Sequence, residues 1–376
     1  MWFERYNFKE DPYVIRDPFT IPLDMIRWDR DDLPQKENLR LFVADVVNGY
    51  RVGLKVYGPG GSGKTWLLRY LEKTLLEQLG DKIAIVRGAV VYGKIAGLDP
   101  TFSALYENVV QCWNQHHRQT VLDAIEEEVG RDRAKWRECI DDSDLAACLH
   151  GIQYRSEEEK ARICEHWLRG ARIGAKELAD VGIMSSLDSD YRRYLALRKL
   201  LQLTLLAYKT CVLIVDELEN APPRLARALG DSFRDLLDSF SERFAMACSY
   251  TAQAADELLD WGYGEFLFTR LEYDVRLDPV TPDSAPDIFR IHHNAYREET
   301  YTGDDLLPFT KESLKKLINR MDPLRWYPRH ILVNCGVLGR TAWEKNVDVI
   351  DEGFVDRQTS QRPERLHYLT SEPRLM

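Results

Sequence analysis

Gly58-Pro59-Gly60-Gly61-Ser62-Gly63-Lys64-Thr65 is the stretch on which the reading of this chain turns. Its glycines at 58, 60, 61 and 63 let the backbone curl until several N–H groups converge on one anion, without side chains in the way. The Gly-x4-Gly-Lys-Thr spacing is that of a phosphate-binding loop. What flanks it agrees. Arg51-Val52-Gly53-Leu54-Lys55-Val56-Tyr57 alternates as a strand and runs straight into the loop. On the other side Trp66, Leu67, Leu68, Leu71, Leu75, Leu76 and Leu79 recur at helical spacing, and Gly80 supplies a stop. A chance glycine-rich turn lacks this strand–loop–helix context. Lys64 therefore has the reach of a cation for β- and γ-phosphates, and Thr65 offers a hydroxyl ligand to Mg²⁺. Gly58 through Thr65, with Trp66 directly after, form the expected nucleotide-binding stretch.

Further short apolar runs stand at 82–87, 211–215 and 244–248, the form taken by strands buried on both faces of a parallel sheet. A helix built on Leu229, Phe233, Leu236, Leu237 and Phe240 lies between the last two, so strand and helix alternate and predict an α/β three-layer core. The run Val212-Leu213-Ile214-Val215 ends in Asp216-Glu217. At the carboxyl edge of a buried strand Asp216 is placed to hold the water shell of Mg²⁺, and Glu217 to polarise an attacking water. Glu219 and Asn220 read as loop polar residues. Ser249, with Thr251 in reserve, follows the strand ending at Cys248 and is the candidate sensor of a γ-phosphate.

A chain of 376 residues is long for one domain. The expected organisation is an N-terminal strap and linker (1–50), a core (51–280) with a charge-rich helical insertion at about 93–208, an all-helical lid (281–355) and a polar tail (356–376). In the lid, Thr310 is placed to cap a helix lined by Leu314, Leu317, Ile318 and Met321, and Pro328 to open another. Hydrophobic residues at 44% and charged ones at 30% permit a sizeable core and argue against disorder. A net charge of −10 argues against coating nucleic acid by bulk electrostatics, while leaving room for one basic face. The seven cysteines form no C-x-x-C pair and read as reduced and mostly buried. The pairs His116-His117 and His292-His293 lack further ligands at metal spacing and read as helix-surface residues. Neither a leader nor a run of about 20 apolar residues is present, so the expected location is the cytoplasm, away from membranes.

Taken together, these motifs resemble the AAA+ ATPases, in the branch of the origin-recognition initiators and the STAND-like signalling ATPases with helical lids. The elements that carry the resemblance are Asp17-Pro18-Phe19, the phosphate loop, Asp216-Glu217, Ser249, Leu267-Phe268-Thr269-Arg270 before a last strand, and Tyr327-Pro328-Arg329 opening a lid helix. The resemblance implies that Arg329 contacts the γ-phosphate and that Arg270 is a finger given to a neighbouring subunit, with Arg276 and Arg243 as competitors. It also implies ATP and Mg²⁺ as cofactors and a homo-oligomer. Trp167-Leu168-Arg169-Gly170, Glu177-Leu178 and Val181-Gly182-Ile183 are similar to the ATP-binding proteins of BREX-type phage-resistance systems, the BrxC and BrxD group. That similarity implies a role in defence or DNA transactions, with proteins of those processes as partners. No winged-helix pattern follows the lid, which weighs against autonomous sequence-specific DNA binding. Two rival readings are a DNA-binding transposition regulator similar to TnsC and a nucleotide-gated scaffold with little turnover.

Overall fold

The computed structural model describes residues 1–14, 21–26, 36–90, 102–154, 157–298, 300–361 and 366. Asp17-Pro18-Phe19 lies outside them. The chain divides into two compact units. One comprises Met1–Glu37, Gly58–Lys73 and Arg276–Met376, the other Asn38–Tyr57 and Thr74–Val275.

Most of the α/β part lies in the second unit, while Gly58–Lys73 belong to the first. The elements of this part follow the apolar runs closely: α1 (Lys36–Asn48), β1 (Val52–Gly58), α2 (Lys64–Leu79) and β2 (Ile83–Ala89) come first. Among the described residues seven helices then lie between β2 and the next strand: α3 (Phe102–His116), α4 (Arg118–Val129), α5 (Arg133–Ile140), α6 (Ser143–Tyr154), α7 (Glu158–Leu168), α8 (Ala175–Val181) and α9 (Asp190–Ala207). After them come β3 (Thr210–Asp216), α10 (Pro223–Asp238), β4 (Phe244–Thr251), α11 (Glu257–Asp260), α12 (Glu265–Arg270) and β5 (Tyr273–Arg276). The five strands make one parallel sheet in the order β2-β3-β4-β1-β5. In register, Ile83 faces Thr210, Ala89 faces Asp216 and Val215 faces Cys248. β1 and β3 are buried along their whole length, as strands covered on both faces must be. Because β4 runs to Thr251, Ser249 and Thr251 lie within the strand's end and not in the turn after it.

The helices between β2 and β3 share one apolar cluster with the sheet. Trp113, Trp136 and Trp167 are all buried in it. α3 lies so close to β2 that a Cβ added at Gly88 would stand 2.6 Å from Val109 Cγ2 and 2.7 Å from Leu105 Cδ1. Only glycine fits that approach. Trp113 Nε1 donates to Thr204 Oγ1 at 2.9 Å, joining α3 to α9.

In the first unit, α13 (Ala285–Tyr296), α14 (Lys311–Arg320), α15 (Pro328–Glu344) and α16 (Glu352–Gln361) bury Phe289, Leu314, Leu317, Ile331, Leu338 and Phe354 together. Thr310 caps α14, its hydroxyl accepting from the N–H of Ser313 at 3.1 Å, and Pro328 occupies the first position of α15, where its missing N–H costs nothing. α16 carries helix six residues into the segment read as tail. Phe354 and Val355, both buried, anchor it, and Gln358 one turn on is buried as well.

The histidine pairs correct the sequence reading. His116 is exposed, but His117 is buried, with Nε2 at 2.9 Å from the Ile85 carbonyl. His293 is fully buried between the Tyr13 hydroxyl at 2.9 Å and the Asp305 carbonyl at 3.2 Å, and His292 donates to the Pro12 carbonyl at 2.6 Å. Adjacent histidines on a helix point about 100° apart, so one of each pair meets the core. None of the four joins a cluster of metal ligands among the described residues. No disulfide forms among the seven cysteines, of which six are buried. No helix of the described residues is long and apolar enough to cross a membrane.

Candidate nucleotide site

The phosphate loop begins where β1 ends. Gly61 and Gly63 take φ of +83° and +100°, values a side chain would resist, and this turns successive N–H groups toward the amino end of the 16-residue helix α2. Nothing lies within 4 Å of a Cβ placed on Gly60, so the loop keeps an open side. The Ser62 hydroxyl is buried without a hydrogen-bond partner, an orphan that a phosphate oxygen can satisfy. Lys64, itself buried, donates from Nζ to the carbonyls of Gly58 at 3.0 Å and Pro59 at 3.3 Å, which holds the ammonium over the loop. A hard anion is what this cradle of N–H donors, hydroxyl and cation fits.

Arg329, in the first turn of α15, touches the same loop. Its N–H donates to Gly61 O at 3.3 Å, and a Cβ on Gly61 would stand 3.0 Å from Arg329 Cβ. The structure thus places Arg329 against the phosphate loop at Gly61. Thr65 stands in the first turn of α2. Trp66, next along, faces the ring of His292 with 6.4 Å between ring centroids.

The second unit holds the acidic group. Asp216 ends β3 at 2% exposure. Its Oδ1 accepts from the Ser249 hydroxyl and from the Glu217 N–H at 3.0 Å, while Oδ2 makes no hydrogen bond among the described residues. Ser249 is fully buried, and its hydroxyl also accepts from the Glu217 N–H at 3.4 Å, so it holds the Asp216 carboxylate and the Glu217 backbone. Glu217 has φ +60° and ψ +45°, left-handed for a non-glycine residue, a conformation costing about 1–3 kcal/mol that must be held by its surroundings. Each unit offers an oxygen donor of the kind a hard cation such as Mg²⁺ takes, the Asp216 carboxylate in one and the Thr65 hydroxyl in the other.

Arg270 closes α12 and pairs with Asp238, Nε to Oδ1 at 2.7 Å. The guanidinium beside it holds the Asp238 carboxyl below the usual carboxylate range. Of its competitors, Arg276 pairs with Asp278 at 2.8 Å, and Arg243 is committed to the carbonyls of Lys209, Leu205 and Tyr208 at 2.6–2.9 Å. Arg243 is thus a cap on the end of α9. Two residues that sequence reading left as loop polars have definite partners: Asn220 reaches Glu217 and Val90, and Glu219 accepts from Thr251. The usable signal was Asn three residues after the acid, the reach of a single 3₁₀ turn.

Comparison with known proteins agrees with this architecture. The Aeropyrum pernix ORC2 protein, in ADPNP and ADP complexes, matches at 13% identity over 96% of this chain and 75% of that one, with a TM-score of 0.55. Its ADP form matches at 12% identity over 97% and 75%, with a TM-score of 0.51. Cdc6p from Pyrobaculum aerophilum, at 13% identity over 94% and 73%, has a TM-score of 0.49. No curated protein sequence matches. At such identities the first two show a shared AAA+ fold. The AAA domain family profile matches residues 49–254, more than half of the chain, and the chain belongs to that family.

Proposed function

We propose that this chain is a Mg²⁺-dependent ATPase that couples ATP binding and hydrolysis to assembly or remodelling. The observation that carries the reading is the phosphate loop: two glycines at positive φ, an orphaned Ser62 hydroxyl, a buried Lys64 and Arg329 against Gly61. The nucleotide complexes of the Aeropyrum protein support the same ligand chemistry here.

In this reading Gly58 to Thr65 bind the phosphates, with Lys64 balancing charge on the β- and γ-groups and Arg329 meeting the γ-phosphate. Thr65 and, through water, Asp216 would hold Mg²⁺, which would supply neutralisation of charge on the phosphates. Ser249 keeps Asp216 oriented. Glu217 takes a proton from water as its oxygen bonds to the γ-phosphorus and the bond to the ADP oxygen breaks. Arg270 serves a neighbouring subunit of a homo-oligomer, and the setting is phage defence or DNA transactions.

The test is nucleotide titration and phosphate release with purified protein. Removing Lys64 deletes charge-assisted hydrogen bonds of about 1.5–3 kcal/mol, so Lys64→Ala is expected to weaken ATP binding by roughly 10- to 100-fold. Glu217→Gln is expected to bind ATP and release no phosphate. Parental affinity in Lys64→Ala sinks the loop assignment. Parental turnover in Glu217→Gln sinks the assignment of the base.

A further inference from the structure

Directly after Glu217 the chain makes a 3₁₀ turn, Leu218–Asn220, held to its neighbours by several hydrogen bonds. Asn220 Nδ2 carries two hydrogens and uses both. One goes to the carbonyl of Val90, just past the end of β2, at 2.8 Å, and the other to Oε2 of Glu217 at 2.9 Å. On the other side of the turn, Glu219 Oε1 accepts from the hydroxyl of Thr251 at the end of β4. The Leu218 carbonyl accepts from the buried Tyr263 hydroxyl at 2.6 Å. β2 and β4 are the two neighbours of β3 in the sheet, so the turn is pinned on both flanks. The Glu217 backbone is fixed as well, in its left-handed conformation with N–H on Asp216 Oδ1. Asn220 in turn holds one oxygen of the Glu217 carboxylate.

We propose that Asn220 is a positioning residue for hydrolysis: its amide sets the orientation of the Glu217 carboxylate and ties that orientation to the end of β2 at Val90. The proposal rests on the reading of Glu217 as the base. A carboxylate must meet the attacking water along a hydrogen bond aligned with the γ-phosphorus, and about 1 Å of misplacement is enough to cost rate. An amide suits the task because it donates to the carboxylate and to a carbonyl from one nitrogen. An aspartate in its place has the same shape, donates to neither and repels Glu217.

The experiment compares the parent with Asn220→Ala and the near-isosteric Asn220→Asp in the full chain, measuring the ATP dissociation constant and kcat separately. ATP affinity is expected to stay within about twofold of the parent. kcat is expected to fall by about tenfold in Asn220→Ala and further in Asn220→Asp. A merely structural role would move affinity and turnover together, or leave the two variants alike. Parental kcat in both variants, or a loss of kcat only in step with affinity, overturns the proposal. Should the alanine variant not fold, the aspartate variant alone decides by the same split. Glu217→Gln measured alongside keeps the two ideas apart. If it is silent while the Asn220 variants match the parent, only the positioning role fails. If it turns over ATP at the parental rate, the base assignment fails and takes this proposal with it.

Discussion

Gly61→Ala tests the phosphate loop by its backbone alone, leaving every charged group in place. At φ +83° an alanine pays the left-handed penalty of about 1–2 kcal/mol. Its methyl would also press on Arg329 Cβ at 3.0 Å, tighter than ordinary contact. With a factor of ten for each 1.4 kcal/mol, the loop conformation that gathers the N–H groups loses population by about 5- to 30-fold. A ligand that binds only that conformation weakens by the same factor. Gly60→Ala is the matched control, since a Cβ there meets nothing within 4 Å and the residue is not among those with positive φ. Titration with a fluorescent ATP analogue at 25 °C, with thermal melts run beside it, should show Gly61→Ala weakened in that range and Gly60→Ala within about twofold of the parent. Equal affinity in Gly61→Ala and the parent, or equal damage in both variants, would refute the claim that this geometry makes the anion cradle.

Two further outcomes concern subunits and pH. If Arg270 is a finger supplied in trans, worth roughly 10³ in turnover for P-loop enzymes, Arg270→Ala and Lys64→Ala proteins are each inactive but regain phosphate release when mixed; a mixture that stays silent, with Arg270→Ala alone as fast as the parent, removes the shared-site idea. His293 is held well below the ordinary histidine range, first by burial and then by His292 and Arg297, with Tyr13 as its hydrogen-bond partner. It stays neutral when folded while the unfolded chain takes up a proton below about pH 6.5, so its contribution is present above that pH and lost as pH falls toward the folded value. Stability should therefore drop between pH 7 and pH 5 with a slope reduced by up to one proton in His293→Gln. An unchanged slope contradicts the burial argument.

The phosphate loop and the strands were legible because both signals are local: glycine spacing dictates the loop, and continuous apolar runs mark strands covered on two faces. The place of Asp216-Glu217 at the end of a buried strand was legible for the same reason. What escaped depended on partners far along the chain. Asn220 acquires meaning only when Val90, 130 residues earlier, is brought beside it. Arg243 and Arg270 look alike in sequence, yet one finds three carbonyls at the end of α9 and the other a single exposed carboxylate. His293 reads as a surface residue until the amino-terminal segment brings Tyr13 to cover it. Periodicity marks which face of a helix is apolar, but a buried polar side chain breaks that pattern and is explained only by its hydrogen bonds.

The tight seat of α3 on Gly88 bears on how such a chain changes in length. Because Leu105 and Val109 press directly on β2, and α9 is latched to α3 through Trp113 and Thr204, these two helices work as wall rather than as ornament. Excising 102–207 to obtain a minimal version would strip an apolar cover from the sheet and leave an aggregation-prone face. α4 to α8 belong to the same apolar cluster, with Trp136 and Trp167 buried in it, so a shortened version that keeps only α3 and α9 needs polar residues on the faces it bares.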